Sequence, residues 1–234
     1  MTSEDASAYA ELARRDPVLA GVLAVYGPVP PFAWHDGGRT GTSQFAAMLL
    51  HVTGQRISAV AAFTVYDRII AATGGGVPTA RAVAALGPDR LHACGLSAAR
   101  AGHAIALAEA QLSGSLDIEH LDAVPDDEVL ARLTAVPGIG RWSAQTFLIH
   151  NLARPDVLPE ADQGVRRAIQ DLWSLDRPPT PTQVRRRGRP WSPYRSYAAA
   201  LLWRSLRPAG EPSDPKERAL RALRARSRPR PRPS

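Results

Sequence analysis

The stretch Leu133-Thr-Ala-Val-Pro-Gly-Ile-Gly-Arg-Trp-Ser-Ala144 decides the fold prediction. Its apolar start is typical of a helix end, and the Pro-Gly-Ile-Gly run that follows favours a tight turn, because glycine adopts backbone angles that other residues avoid. A second helix begins directly after the turn, and its first backbone N–H groups have no partner within the helix. The stretch therefore predicts two helices joined by a hairpin, whose N–H groups at Gly138, Gly140 and Arg141 bind a phosphate without reading a base sequence. A plain glycine-rich turn between two helices is the alternative.

The rest of the chain has helical periodicity, with apolar residues three and four apart between Gly/Pro breaks. The predicted helices are 9–25, 44–50, 57–72, 80–86, 98–112, 126–133, 141–152, 164–172 and 194–206. No stretch alternates for long enough to predict a strand. We therefore expect an all-α fold of two packed helical subdomains, with one domain over residues 1–215 and a basic, largely disordered tail over residues 216–234.

The charge of the chain is concentrated at its C-terminal end. The 234 residues carry a formal charge of +7, with 29 basic and 22 acidic side chains. Eight basic residues and one acidic residue lie in 216–234, so the other 215 residues balance at zero. Eight arginines and no acid lie in 177–207, which predicts a positive face there. A polyanion is the expected partner, although the strong bias for arginine over lysine is also typical of codon composition.

Composition excludes several classes of protein. The one cysteine, Cys94, excludes an intramolecular disulfide framework and a four-cysteine cluster within this chain. The apolar runs are far shorter than the roughly 20 residues that cross a bilayer, and the start of the chain lacks the basic residues of a signal peptide. We expect a cytoplasmic protein that has no membrane partner.

A second segment with chemical potential follows the hairpin by about twenty residues. It reads Asp156-Val-Leu-Pro-Glu-Ala-Asp162-Gln-Gly-Val-Arg-Arg167, and Asp162 stands where a helix is predicted to begin. Taken alone, Asp162 is well explained as a helix N-cap. It gains a second interpretation only from its spacing to the hairpin.

Together, five segments of this chain resemble the helix-hairpin-helix DNA glycosylases of the HhH-GPD superfamily. They are Val52–Ser58, Gly95–Ser97, the hairpin, Pro159–Asp162 and Trp191–Ala198, and the resemblance runs from about Asp16 to Arg207. Within the superfamily, the chain is similar to the 3-methyladenine DNA glycosylase II branch in a compact form. The fold and function below are what this resemblance implies.

By the resemblance, Asp162 is the catalytic carboxylate, which stabilises positive charge on the deoxyribose as the N-glycosidic bond breaks. Related bifunctional enzymes place a Schiff-base lysine two residues after the second hairpin glycine, where this chain has Trp142. The resemblance thus implies an enzyme without lyase activity, in which the indole of Trp142 stacks on a flipped, cationic alkylated purine. A core tryptophan is the alternative for Trp142.

Further site residues follow from the same resemblance. The residues expected to contact the substrate are Trp142, Trp191, Gln55 and Trp34; those expected to bind DNA are Arg56, Gly138, Gly140, Arg141 and Ser143. Arg56 stands where relatives carry a wedge that enters the duplex, a position that is often apolar or amide-bearing. Carbonyl groups near Thr134, Val136 and Ile139 are expected to hold a monovalent cation, Na or K, and no other cofactor is expected.

The expected substrates are 3-methyladenine and 7-methylguanine in double-stranded DNA, and the expected state is a monomer. Two other functions stay open at this point. One is a glycosylase for hypoxanthine or an oxidised purine. The other is a non-catalytic DNA-binding or damage-scanning protein in which Asp162 is only a helix cap.

Overall fold

The computed structural model describes residues 2–212 and 214–226, and within these ranges the secondary structure is entirely helical. This confirms the predicted all-α class. The α-helices are α1 (Ser3–Arg15), α2 (Pro17–Tyr26), α3 (Gln44–Gly54), α4 (Ala59–Ala72), α5 (Ala80–Ala93), α6 (Ala98–Ser113), α7 (Asp126–Thr134), α8 (Arg141–His150), α9 (Gln163–Leu172), α10 (Pro181–Arg187), α11 (Arg195–Ser205) and α12 (Pro215–Arg226). Two short 3-10 helices cover Ile118–His120 and Arg189–Trp191. No helix in the described ranges is both long and apolar enough to cross a membrane.

Side-chain caps explain where many of these helices begin. Ser43, Ser58, Thr79 and Ser97 each accept a hydrogen bond from a backbone N–H in the first turn of the helix that follows. Such a cap satisfies one of the N–H groups that a helix start leaves without a partner. The short polar segments between apolar runs therefore set the helix boundaries locally.

The predicted helix over 9–25 is in fact two helices. α1 ends at Arg15, and Asp16 accepts hydrogen bonds from Val18 N and Leu19 N at the start of α2. Pro17 occupies the first position of α2, where the missing N–H costs nothing. An apolar stripe that continues across both helices concealed this break.

The chain forms two compact units, each with its own core. The first unit comprises Met1–Trp34 and Arg141–Ser213. Its core is built around α11, where Ala198, Leu201 and Leu202 are fully buried, and α2 and α9 pack against that helix. The unit therefore combines the N-terminal helices with residues 141–213, which places α8, α9 and the loop between them on one scaffold.

The second unit comprises His35–Gly140 and Asp214–Ser234. α3 lies at its centre, with every residue from Phe45 to Thr53 buried, and packs against α4 and α6. The carboxylate of Glu119 accepts hydrogen bonds from Ser43 Oγ and from the N–H groups of the first two residues of α3. This unit carries the loop after α3 and the hairpin turn.

The tail does not match the prediction over its first part. Residues 215–226 form α12, which packs against α4 with Ala219 only 3% exposed. Asp214 accepts hydrogen bonds from the N–H groups of Lys216 and Glu217 at the start of this helix. The prediction of disorder is thus wrong for residues 216–226, and residues 227–234 lie outside the described part. The arginine-rich composition predicted disorder, whereas the docking of Ala219 orders this segment as a helix.

Candidate active site

The hairpin turn joins α7, which ends at Thr134, to α8, which begins at Arg141. Gly138 has a φ of +87°, in the left-handed region, and a Cβ atom at this position would lie 2.0 Å from the ring of His103. Both facts require glycine. Gly140 has neither a positive φ nor a heavy atom close to its missing Cβ. The turn therefore requires glycine at position 138, as predicted, but not at position 140.

The loop after α3 contacts the turn within the same unit. The side-chain amide of Gln55 donates a hydrogen bond to the carbonyl of Gly138 at 2.9 Å. The next residue, Arg56, is exposed and has a φ of +58°, which costs a non-glycine residue about 1 kcal/mol. Backbone strain of this kind is concentrated at functional sites. Gln55 thus fixes the loop after α3 to the hairpin turn, and the exposed Arg56 follows Gln55 directly in that loop.

Asp162 caps α9, as its position in the sequence suggested, and its carboxylate also makes two further contacts. Its Oδ1 accepts from the backbone N–H of Val165 at 2.8 Å and from the indole Nε1–H of Trp203 at 2.9 Å. Its Oδ2 accepts from the indole Nε1–H of Trp142 at 2.7 Å. Three N–H donors therefore hold both oxygens, so the orientation of this carboxylate is fixed.

Trp142 and Asp162 are brought together by this hydrogen bond. The Trp142 side chain is 43% exposed, an unusual state for so large an apolar residue. The hydrogen bond uses the edge of the indole and leaves the faces of the ring for stacking. The geometry excludes the core alternative for Trp142, while its contact with a base stays a prediction.

A row of aromatic rings extends from Asp162 within the first unit. The ring of His150 stacks on Trp203 with 5.8 Å between centroids, and Trp34 lies 6.4 Å from His150. Nothing in the sequence around Trp203 or His150 predicts a place for them at the site. Their helical spacing is the same as that of core residues, so the sequence carried no signal for this arrangement.

Two predicted site residues are buried instead. Trp191 is fully buried, its Nε1–H donates to Asp16 at 2.9 Å, and its ring packs against Trp173. Ser143 is 3% exposed. The prediction that Trp191 lines a base pocket is therefore wrong, and the side chain of Ser143 cannot contact DNA in this arrangement. The segment Trp191–Ala198 resembles the family, but its sequence does not show whether Trp191 lines a pocket or fills the core.

The loop that carries Asp162 also carries Glu160, a carboxylate only 3% exposed. Its oxygens accept from Gln145 Nε2 at 2.6 Å, Arg141 Nε at 3.0 Å and Arg185 Nη1 at 2.9 Å. Burial acts to raise the pKa of Glu160, but the hydrogen bonds from Gln145 and the two arginines outweigh it and hold the pKa below its usual value. Glu160 was not among the site residues predicted from the sequence.

The predicted positive face over 177–207 is only partly realised. Arg195 pairs with Asp156, and Arg204 is 8% exposed and donates to the carbonyls of Arg207 and Pro208. Arg187 lies 4.7 Å from the centre of the Trp173 ring. Several of the eight arginines therefore stabilise the fold, and the exposed ones that remain include Arg177, Arg185, Arg186 and Arg189.

Comparison with known proteins gives the site a context. DNA-3-methyladenine glycosylase 1 of Schizosaccharomyces pombe is 29% identical over 163 residues, which cover 69% of this chain and 72% of that protein. DNA-3-methyladenine glycosylase 2 of Escherichia coli is 34% identical over 128 residues, covering 54% of this chain and 42% of that protein. This chain thus matches less than half the length of the E. coli relative.

Solved structures agree with the sequence matches. A 3-methyladenine DNA glycosylase of S. pombe in complex with abasic DNA has a TM-score of 0.75 and 26% identity, over 88% of this chain and 99% of that one. A DNA-3-methyladenine glycosidase of Bacillus halodurans has a TM-score of 0.72 at 24% identity, over 87% and 91%, and shows the shared fold. Residues 50–193, more than half of the chain, match the model of the HhH-GPD superfamily base excision DNA repair proteins. The chain therefore belongs to the HhH-GPD superfamily.

Proposed function

We propose that this protein is a monofunctional DNA glycosylase that hydrolyses the N-glycosidic bond of alkylated purines, 3-methyladenine and 7-methylguanine, in double-stranded DNA. The observation that carries the proposal is the carboxylate of Asp162, fixed by two indole N–H groups beside the exposed ring of Trp142. The names of the S. pombe and E. coli relatives support the same substrate class. We further propose that the protein acts as a monomer in the cytoplasm, on the nucleoid.

In the proposed reaction the base leaves first and positive charge develops on the deoxyribose. A carboxylate held in advance stabilises that charge without the cost of reorienting during the reaction. Asp162 is suited to this role because its three N–H donors hold it in one orientation. A water molecule then attacks C1′, with the same carboxylate as the group that orients it.

Trp142 provides the proposed selectivity for the substrate. A purine alkylated at N3 or N7 carries positive charge, and the electron-rich face of an indole attracts a cation by about 0.5–2 kcal/mol. The same charge makes the purine a good leaving group, so one carboxylate suffices. Trp34 lies in the ring row that continues from Trp203 and is proposed to close the base-binding region.

An imine mechanism has no suitable amine at this site. Trp142 stands at the position of the Schiff-base lysine, and the one lysine in the chain, Lys216, lies at the start of α12 in the second unit. Desolvation lowers the pKa of Lys216 to about 8, against the nearby Asp214 and Asp36, which raise it. We therefore expect that borohydride treatment during turnover traps no covalent protein–DNA complex. A trapped complex that disappears in Lys216→Arg would refute the monofunctional assignment.

The second unit supplies proposed contacts with duplex DNA. The hairpin glycines, Gly138 and Gly140, present backbone N–H groups to a phosphate, and Arg56 is proposed to enter the space that the flipped base leaves. Gln55 fixes the loop of Arg56 through its hydrogen bond to Gly138. Extrusion of a base costs a few kcal/mol, which such contacts offset.

We also propose that the hairpin holds a monovalent cation, Na or K, through carbonyl groups near Thr134, Val136 and Ile139. The donor chemistry fits, because backbone carbonyls are oxygen ligands of the kind that hard cations prefer. The Val136 carbonyl accepts the Ile139 N–H at 3.1 Å, which leaves its second lone pair for a ligand. A cation bound here neutralises part of the charge of the adjacent phosphate.

The test is a panel of duplexes that each carry one defined base, incubated with the protein and cleaved with alkali at abasic sites. We expect release of 3-methyladenine or 7-methylguanine, loss of release in Asp162→Asn, and unchanged release in Asp171→Asn. Asp171 is an exposed acid on the same helix that pairs with Arg167, so it is a matched control. Release only of hypoxanthine or an oxidised purine would move the assignment to that lesion. Binding without any release would favour the damage-scanning function.

A further inference from the structure

Glu160 lies in the loop that carries Asp162, yet the proposed reaction does not use it. The carboxylate is almost fully buried, and three side chains from two helices donate to it: Arg141 and Gln145 of α8 and Arg185 of α10. Burial of a carboxylate costs several kcal/mol unless partners compensate it. The three hydrogen bonds to the buried carboxylate therefore hold the side chains of Glu160, Arg141 and Arg185 in fixed positions.

Two of those members are cations that share a single oxygen. Arg141 Nε lies 3.0 Å and Arg185 Nη1 lies 2.9 Å from Oε1 of Glu160, so the two nitrogens are at most about 6 Å apart. Both arginine side chains remain more than half exposed, at 58% and 53%. Within the described part of the chain, the other bond of Arg185 goes to Thr182 Oγ1, and Arg141 makes no second side-chain bond. Unused N–H donors of both guanidinium groups therefore remain for a ligand.

The charge of the cluster favours an anion. Two guanidinium groups and one carboxylate leave a net charge of +1 at the surface, and the negative member is the buried one. Guanidinium groups bind phosphate oxygens through paired N–H donors. A phosphodiester has two unesterified oxygens, which can bridge two guanidinium groups held this close together.

We propose that Arg141 and Arg185 clamp one backbone phosphate of the DNA, and that Glu160 is the positioning residue that holds the two guanidinium groups in place for it. The inference rests on the proposed function, since it takes DNA as the ligand. Arg141 was expected to bind DNA through the hairpin, whereas Arg185 on α10 is a new contact.

The clamp is connected to the catalytic carboxylate through the backbone of the loop. The N–H of Glu160 donates to the carbonyl of Leu158, and the N–H of Asp162 donates to the carbonyl of Pro159, both at 2.9 Å. These two bonds form a tight turn of five residues. Glu160, which holds the two arginines, lies two residues before Asp162 in this turn. A phosphate bound by the arginines thus fixes the position of the DNA backbone relative to Asp162.

The experiment measures the affinity of the full chain, carrying Asp162→Asn, for a duplex with a stable abasic-site analogue over a series of salt concentrations. The slope of log K against log salt falls by about 0.9 for each phosphate that the protein no longer neutralises. We expect Arg185→Gln and Arg141→Gln each to reduce the slope by about 0.9, because Glu160 neutralises the one guanidinium group that remains and the phosphate loses its counter-charge. Arg185→Lys should retain the slope because the charge is kept. The matched control is Arg186→Gln, which removes an exposed charge from the same helix and breaks no bond to Glu160.

The double variant decides whether the phosphate is shared. If both arginines bind one phosphate, the Arg141→Gln, Arg185→Gln variant reduces the slope by about 0.9 and not by twice that amount. A reduction of about 1.8 would mean two separate phosphates and would overturn the clamp. A slope for Arg185→Gln equal to that of Arg186→Gln would overturn the role of Arg185.

Glu160 is tested by Glu160→Gln in the same assay, with circular dichroism as the folding check. We expect weaker binding by severalfold at one salt concentration and an unchanged slope, because both cations remain but are no longer held. Unchanged or tighter binding by a folded variant would refute the positioning role. Excision by the unmodified chain is measured in parallel, so a failure of the clamp is distinct from a failure of the glycosylase assignment.

Discussion

Replacement of Trp203 by phenylalanine tests whether the fixed orientation of Asp162 contributes to the reaction. The substitution removes the indole Nε1–H that donates to Oδ1 of Asp162 at 2.9 Å, and it retains an aromatic ring against His150. Asp162 keeps its bonds to Trp142 and to the N–H of Val165. The carboxylate therefore stays in the site but gains rotational freedom.

The size of the effect follows from the hydrogen bond that the substitution removes. A hydrogen bond to a charged group contributes about 1.5–3 kcal/mol, and the low end applies because two donors remain. If this hydrogen bond serves to orient the carboxylate toward the sugar, its loss raises the activation free energy of base release by about 1.4 kcal/mol, which corresponds to a tenfold slower reaction. We expect the dissociation constant for DNA to change little, because Trp203 contacts Asp162 and is not one of the residues proposed to bind a phosphate.

The assay is the single-turnover rate of base release from a duplex with one 7-methylguanine, at saturating protein. Trp173→Phe is the matched control, since it removes the same ring atoms from a tryptophan that packs against Trp191 and Arg187. A tenfold loss in Trp203→Phe with a near-normal rate in Trp173→Phe supports the reasoning. Equal rates in the two variants would refute it.

Three further predictions concern stability, each measured by urea unfolding followed by circular dichroism. Gly138→Ala should lower the free energy of unfolding by more than about 2 kcal/mol, because the new Cβ clashes with His103 and the backbone has a positive φ. Gly140→Ala should leave the free energy of unfolding nearly unchanged. Equal losses in the two variants would contradict the geometry of the turn. Burial raises the pKa of Glu160 but its hydrogen-bond donors lower it more, so its contribution is complete above pH 4.5 and is lost as the pH falls. The unmodified protein and Glu160→Gln should therefore differ in stability at about pH 7, and the difference should shrink as the pH falls below 4.5. A constant difference would refute this. Ala219→Asp should lower the free energy of unfolding by about 2–3 kcal/mol, because it places a charge at a buried position of α12. Ala222→Asp, at an exposed position of the same helix, should lower it by less than about 0.5 kcal/mol. No effect of either substitution would mean that α12 is not docked.

The differences between expectation and structure are concentrated at contacts between elements that are distant in sequence. Trp191 and Trp203 are both tryptophans near helix ends in the C-terminal third of the chain, and only Trp191 was predicted to line the site. The structure buries Trp191, whose indole N–H bonds to Asp16, whereas Trp203 packs against the core and donates its indole N–H to Asp162. The partner of an indole N–H is set by packing, which local pattern does not encode.

Local pattern was sufficient for other features. Apolar periodicity and Gly/Pro breaks depend only on residues a few positions apart, so they predicted the all-α class and most helix positions. The break at Asp16 was missed because the apolar stripe continued across it.

By itself, the sequence determined the helical class, the hairpin turn with its Pro-Gly-Ile-Gly run, the absence of lysine before residue 216, and the twenty-residue spacing between Trp142 and Asp162. Each of these depends on covalent order or on interactions within one turn of chain. Only the tertiary structure decided which side chains hold the Asp162 carboxylate, that Glu160 is buried between two arginines, and that α12 is part of a folded unit. The physical reason is that periodicity identifies the buried face of a helix, whereas the identity of the group across that face depends on how all the helices pack together.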